Sequence, residues 1–467
     1  MNQMVNRIRS FWLLAVGLLA VLSGAGERAE AQKRDSLDEN YRRSSLCVFL
    51  IEEAGMPMRD SIRMAFLTSP IPDKYNDHNV VGDRIIDREV YGELTDADRA
   101  AFLAAAKAEP VVGEDGTLEV PKKKGGGFGS FMKGMIGLPT LTGSASDLSK
   151  DDYGAVAYRY IRENAVAKRL ADGWFLEGDS VFSMRRVQER GLYGASAFDI
   201  ETARNSARGR AMLEDIGEDL IGNTFVLVSR YRYMSKDELA AEIDAIAQAA
   251  AELAGGGYAS LAASAATLAV KASLGAGYYV KSTAYLFKLR WNPEVAGRLY
   301  GELWGDREAY DNSDLFSLRY IGSESAWANV KAGIFTDKSE AELIRIATIN
   351  ASDATIAKLA KKNDVFKTKT PLIVDEEGGI YARIGLKEGL EAGDRFEVLE
   401  RVWDEKKGRT VYVKRGEVKV AKDQIWDNRY MADEELKLTG REQGFDRTRF
   451  VGSARGLYSG MLLRQIK

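Results

Sequence analysis

The chain of 467 residues is long enough for several domains, and its 45% hydrophobic and 29% charged residues are typical of a globular protein. A formal net charge of -3 excludes a basic surface over the whole chain, and the lysine run at 122–124 is too short to supply one locally. We therefore expect no nucleic acid among the partners.

The first 31 residues have the features of a signal peptide. Two arginines precede an apolar run at 11–22, and small residues stand before an expected cleavage site between Ala31 and Gln32. The apolar run is shorter than the ~20 residues that cross a bilayer, which favours a cleaved signal over an uncleaved anchor. We expect an exported protein of the periplasm and cell envelope, with association to the outer membrane as a variant of that location.

The N-terminal part, residues 32–121, predicts an α/β region. Cys47, the only cysteine, lies in an apolar run at 45–51 that is typical of a buried strand. A helix at 60–67 follows, and Thr95 is placed to cap a short helix. One cysteine cannot form an internal disulfide, so packing or partners must stabilise the exported chain.

Residues 122–150 form a glycine-rich insertion. Apolar side chains interrupt the glycines, which makes the segment a candidate contact with a membrane or a partner. These candidate contact residues are Phe128, Phe131, Met132, Met135 and Ile136. The alternative is a loop that collapses onto its own domain.

Residues 151–362 predict a central α+β domain, with a small-residue insertion at 254–277. Helical periodicity marks three helices and β-branched or aromatic runs mark three strands, which we expect to form one helix-covered antiparallel sheet. We expect the last helix to cover the same face of that sheet as the helix around Ala203. The predicted helices are 153–175, 197–222 and 339–361, and the predicted strands begin at 224, 278 and 315.

Residues 363–467 change to short strands separated by glycines, and we find no amphipathic helix pattern among them. This pattern predicts a small C-terminal β-barrel of the SH3-like kind. The fold class expected for the chain is therefore α+β.

Catalytic patterns are scarce in this sequence. His78 is the only histidine, and no GxSxG turn accompanies it. If the chain is an enzyme, the weak candidates are the carboxylates around this histidine, which could bind Ca²⁺ or transfer protons. They are Asp73, Asp77 and Asp83, beside His78. A second acidic group lies at 375–377, and charged surface turns are the default explanation of both groups. We expect no cofactor and no metal.

Five scattered tryptophans offer one further pattern. They could line a sugar-binding groove, although scattered tryptophans belong more often to a core or an interface. They are Trp291, Trp304, Trp327, Trp403 and Trp426.

The segment at 385–398, followed by residues 411–419 and 460–464, resembles the SH3-like barrel of flagellar H-ring assembly proteins. The helix and strand layer before it is loosely similar to the N-terminal domain of TolB and to curli-secretion α/β domains, but this chain lacks their lipoprotein cysteine. The whole chain is similar to a family of exported Bacteroidota proteins. The resemblance implies an envelope location and names no activity.

The leading hypothesis is a non-enzymatic envelope protein that binds other proteins, as an assembly or scaffolding component. One alternative is a carboxylate-dependent hydrolase of envelope polymers. The other is a membrane-contacting protein. The expected partners are envelope proteins, with peripheral membrane contact and oligomer formation as further options.

Overall fold

The computed structural model describes residues 41–69, 74–76, 83–106, 111–112, 118–119, 151–178, 181–195, 207–253, 277–331, 333–335, 337–406 and 409–466. The predicted signal peptide, the predicted insertion at 122–150 and residues 254–276 of the second predicted insertion lie outside these ranges.

The strands are β1 (Ser44–Glu52), β2 (Tyr75–Asn76), β3 (Ile85–Asp87), β4 (Val111–Val112), β5 (Leu118–Glu119), β6 (Leu176–Glu177), β7 (Val181–Phe182), β8 (Thr224–Met234), β9 (Gly277–Leu289), β10 (Leu318–Lys331), β11 (Lys369–Pro371), β12 (Ile373–Val374), β13 (Ile380–Ala382), β14 (Arg395–Asp404), β15 (Arg409–Val420), β16 (Thr448–Val451) and β17 (Leu462–Gln465). The helices are α1 (Arg59–Thr68), α2 (Arg88–Tyr91), α3 (Asp96–Ala105), α4 (Asp152–Glu163), α5 (Val166–Phe175), α6 (Arg185–Gly194), α7 (Ala207–Gly222), α8 (Lys236–Leu253), α9 (Pro293–Arg298), α10 (Arg307–Asp311), α11 (Glu340–Lys362) and α12 (Ala432–Leu438).

A mixed sheet organises the first three quarters of the chain. Its strand order is β10-β9-β8-β1-β2, and β3 also pairs with β1. The antiparallel pairing predicted for β8, β9 and β10 is confirmed. However, β1 joins β8 in parallel, so the sheet is mixed rather than antiparallel, and the Cys47 strand shares a sheet with the central strands. The apolar sequence of β1 fits this place, because a strand inside a mixed sheet is covered on both faces.

Alternate residues of the strands fill two different cores. Cys47 and Val226 face a core built by α3 to α7. Leu46 and Leu227 face the opposite side, where α11 packs. The expectation that α11 and the helix before β8 cover the same face was therefore wrong, and the sheet is sandwiched between two helix layers. Strand alternation alone does not tell which face a given helix covers.

The helix predicted at 153–175 is two helices, α4 and α5. The break is at Ala165, which has a positive φ of 46°. The side chain of Asn164 donates to the Tyr160 carbonyl at 3.0 Å and to the Tyr91 hydroxyl at 3.1 Å. An alanine with positive φ is uncommon, and no sequence pattern marks it. The apolar periodicity therefore continues from α4 into α5 and predicted a single helix.

Two predicted helix starts are confirmed by their caps. Thr95 and Asp98 form a capping box at α3, and Ser339 and Glu342 form one at α11. These boxes satisfy amide groups that the first helical turn leaves without partners.

The C-terminal part is a seven-stranded antiparallel sheet in the order β11-β17-β14-β15-β16-β13-β12. Its two edge strands, β11 and β12, are separated only by Leu372, so the sheet curls into a nearly closed barrel. Phe396 and Phe450 meet edge to face in its core at 5.3 Å. Helix α12 is an addition to this barrel that the sequence pattern of residues 363–467 did not predict. The chain is thus α+β with a C-terminal barrel.

Candidate functional site

Most of the sequence-predicted site residues lie outside the described part of the chain. This applies to the apolar contact residues Phe128, Phe131, Met132, Met135 and Ile136, and to Asp73, Asp77 and His78. Asp83 is described, and it is exposed just before β3. Its carboxylate accepts the Ile85 amide at 3.0 Å, and its carbonyl accepts the Tyr160 hydroxyl at 3.1 Å. Asp83 therefore shapes the entry to β3.

The acidic group at 375–377 shapes a turn. Asp375 accepts the backbone amides of Gly379 at 2.5 Å and Glu377 at 3.1 Å. Such amide bonds hold the turn between β12 and β13 closed. Among the described residues, no group of three or more histidine, cysteine or carboxylate side chains could hold a metal ion.

The five tryptophans do not line one groove. Trp291 and Trp304 both pack against Phe175, with ring centroids 5.4 and 6.2 Å apart. Trp327 is buried on β10. Trp403 lies on β14 of the barrel, and the amide of Trp426 donates to the Thr448 hydroxyl of β16 at 3.0 Å. The interpretation of the scattered tryptophans as core or interface residues therefore holds for Trp327, which is buried, and for Trp291 and Trp304, which pack against Phe175.

The barrel docks against the mixed sheet through polar contacts at α6 and α7. Arg401 of β14 donates to the carbonyl of Gly194 at 2.8 Å. Asp215 of α7 accepts both the amide and the hydroxyl of Thr410, each at 3.1 Å. Tyr41, just before β1, is buried in a small apolar cluster with residues of the barrel. The two units therefore meet along a surface built from three separate stretches of the chain.

A small, partly open cleft with room for about one water molecule lies at this junction, and we call it the basic cleft. Four cations and one carboxylate are among the described residues that line it. They are Arg42, Arg43, Lys369 and Arg401, with Asp219 as the carboxylate. The aromatic ring of Tyr412 forms part of the wall. An excess of positive charge in a partly enclosed cleft attracts anions more strongly than the same charges would on an open surface.

Two lysines at or near the basic cleft, Lys369 and Lys288, lie close to other cations. Burial lowers the pKa of Lys369, and Arg464 and Arg401 lower it further. Burial also lowers the pKa of Lys288 to about 8, with Arg319 and Lys369 as additional causes. Asp219 acts in the opposite direction on both lysines. Each shift means that the charged form is disfavoured in the folded protein.

Arg43 connects the basic cleft to a second cleft of similar small size, beside α11. Its guanidinium lies 4.7 Å from the ring centroid of Tyr75 and 4.0 Å from the carboxylate of Glu388. Arg43 is 8% exposed, and its Nε has no hydrogen-bond partner among the described residues. Arg43, which directly precedes β1, therefore contacts both β2 and the barrel through its side chain.

The outer edge of β10 is a second candidate surface. In the described part of the chain this strand of 14 residues pairs only with β9. Helix α11 reaches over it, where Lys362 contacts Glu324 at 2.7 Å and Lys358 donates to the Ser325 carbonyl. An edge strand presents backbone groups that can pair with another chain.

The fold and these surfaces define a two-part α+β protein with a small basic cleft at its junction and, among the described residues, a sheet edge at β10 that pairs with no further strand. Within the described residues, every helix is too short or too polar to cross a bilayer. No protein-family model matches the chain, and no curated protein is significantly similar to it.

Proposed function

We propose that this chain is an exported, non-enzymatic protein of the periplasm and cell envelope that binds other envelope proteins, as an assembly or scaffolding component. The observation that carries the proposal is the outer edge of β10, which pairs with no strand besides β9 in the part of the chain that the structure describes. An extended segment of a partner can add to such an edge, where backbone hydrogen bonds supply affinity and alternate side chains supply specificity.

The length and the ends of β10 support this role. Its 14 residues exceed the usual strand length of about 5 to 6 residues. Arg319 and Lys331 lie near its two ends, and charges on an edge strand discourage unspecific pairing. The partner in this proposal is an extended segment of an envelope protein that tolerates these end charges.

We further propose that the C-terminal barrel is an SH3-like module. The short antiparallel strands and their glycine turns support this proposal, as does the resemblance of residues 385–398 to H-ring assembly proteins. In this proposal the barrel holds the mixed sheet in a fixed orientation toward the partner.

Crosslinking from defined positions tests the proposal. A photoreactive residue at Ser323 or Asn329 of β10 should yield an adduct with a specific envelope protein after irradiation of intact envelopes. The same residue at Val451, which is exposed on the barrel, is the control. Adducts from Val451 alone, or none from β10, would contradict a partner at this edge. An adduct with a second copy of the chain would instead show an oligomer.

The two alternatives remain predictions with their own tests. Deleting residues 122–150 should release the protein from the membrane fraction if that segment contacts the membrane. Changing Asp77 and Asp83 to Asn should abolish a hydrolytic phenotype if those carboxylates act on envelope polymers.

A further inference from the structure

We propose that the partner segment that pairs with β10 is acidic at one end, with an aspartate or glutamate directly opposite Arg319 and near Lys288. This chemistry of the partner rests on the proposed function, in which an extended segment adds to the β10 edge. The charge of Arg319 decides which segment fits, whereas the photoreactive residues on β10 decide whether any segment lies there.

Two cations face each other at the Arg319 end of the edge. Lys288 of β9 lies directly opposite Arg319 of β10 in the strand register, and Phe225 of β8 is the next residue in the same row. Like charges directly opposite each other destabilise a sheet. The row ends at Arg319, because β10 pairs with no further strand among the described residues. A strand added at this edge would place one of its own residues directly beside Arg319.

These two cations have no acidic partner in the described part of the chain. Neither the Lys288 ammonium nor the Arg319 guanidinium forms an ion pair or a hydrogen bond there, and the ammonium lies 5.9 Å from the ring centroid of Phe225. Burial lowers the pKa of Lys288 to about 8, with Arg319 as a further cause, and Asp219 acts in the opposite direction. Burial and the nearby Arg290 lower the pKa of Arg319. Both charged forms are therefore disfavoured, and a carboxylate beside Arg319 would stabilise them.

The other rows on this face of β10 offer no such cation. Ala328 belongs to a core cluster packed against α11, and Ala326 is buried on the same face. Between them and Arg319 lies Glu324, which already pairs with Lys362 of α11 at 2.7 Å. The acidic residue of the partner is therefore expected at the Arg319 end of the segment, with small or apolar residues toward the Ala328 end.

The first test measures the repulsion in the purified mature chain by thermal unfolding. If Lys288 and Arg319 repel each other, Arg319→Gln should raise the Tm more in the parent than in a chain that already carries Lys288→Met. The coupling is independent of any packing that either substitution loses. An equal change of Tm in both backgrounds would mean that the two charges are compensated within the chain, and it would overturn the proposal.

The second test measures the preference of the edge. Random peptides of about 12 residues, displayed on phage, are long enough to reach from Arg319 to Ala328 at about 3.4 Å per residue. The parent chain should select peptides with an aspartate or glutamate at one end, and Arg319→Glu should select lysine or arginine at the same position. A peptide selected on the parent should bind Arg319→Glu at least about fivefold more weakly, since an opposite-charge pair becomes a like-charge pair.

The matched control is Arg298→Glu, which changes an exposed arginine of α9 that contacts Glu302 at 3.6 Å. It should leave peptide binding unchanged, and a loss equal to that of Arg319→Glu would overturn the proposal. Peptides that compete with the Ser323 adduct but show no acidic preference would overturn the acidic partner while leaving a partner at β10. Absence of peptide binding, or Arg319-dependent binding of anionic vesicles or of a second copy in place of peptides, would also overturn it. The proposed function fails separately, when the photoreactive residues on β10 give no adduct with an envelope protein.

Discussion

The contact between α6 and α7 depends on two glycines, and Gly217→Ala tests it. A Cβ at Gly217 would lie 2.3 Å from the carbonyl oxygen of Val187, and one at Gly191 would lie 2.2 Å from that of Leu213. A carbonyl oxygen cannot rotate away as a side chain can, so the two helices must separate. The same two helices carry Gly194 and Asp215, which hold the barrel.

The size of the effect follows from two opposing terms. Alanine in place of a helical glycine stabilises by about 1 kcal/mol, whereas overpacking destabilises by about 1–3 kcal/mol. Because the clash is with backbone, we expect overpacking to prevail by about 1–2 kcal/mol. At about 2–4 °C per kcal/mol for a domain of this size, Tm should fall by about 2–8 °C.

The assay is thermal unfolding followed by circular dichroism, with Gly297→Ala as the matched control. Gly297 is also helical, in α9, and nothing lies within 4 Å of a Cβ added there. This control should keep or raise the Tm, because only the helix-propensity term acts. If Gly217→Ala is as stable as Gly297→Ala, the close approach of α6 and α7 is not as described.

Two further predictions concern buried polar groups. Burial lowers the pKa of Lys358 to about 7, far below the value of about 10.4 in an unfolded chain. The unfolded chain binds more protons between these values, so this lysine's contribution to stability rises with pH there. Lys358→Met should therefore exceed the parent in Tm at pH 7, and the gap should close toward pH 10; a gap that is constant with pH would refute the argument. Trp174 donates to the Thr224 hydroxyl at 3.0 Å and is fully buried. Trp174→Phe should reduce the free energy of unfolding by about 1–3 kcal/mol in urea titrations, whereas the exposed Val181→Ala should stay within about 0.5 kcal/mol; equal losses would contradict the burial of Trp174.

The sequence by itself determined the local elements. The apolar run of β1, the cap at Thr95, the start of α11 at Ser339 and the individual strand segments β8, β9 and β10 follow from periodicity and short-range hydrogen bonding. These signals involve only residues that are near one another in the sequence, so the elements can be predicted without knowledge of the fold.

Only the tertiary structure decided how those elements meet. The parallel pairing of β1 with β8 joins residues about 180 positions apart, and no local signal marks the face that α11 covers. The basic cleft shows the same limit, since Arg42, Lys369 and Arg401 come together only when the barrel docks. Local sequence sets helix and strand, whereas long-range packing sets which charges share a cleft.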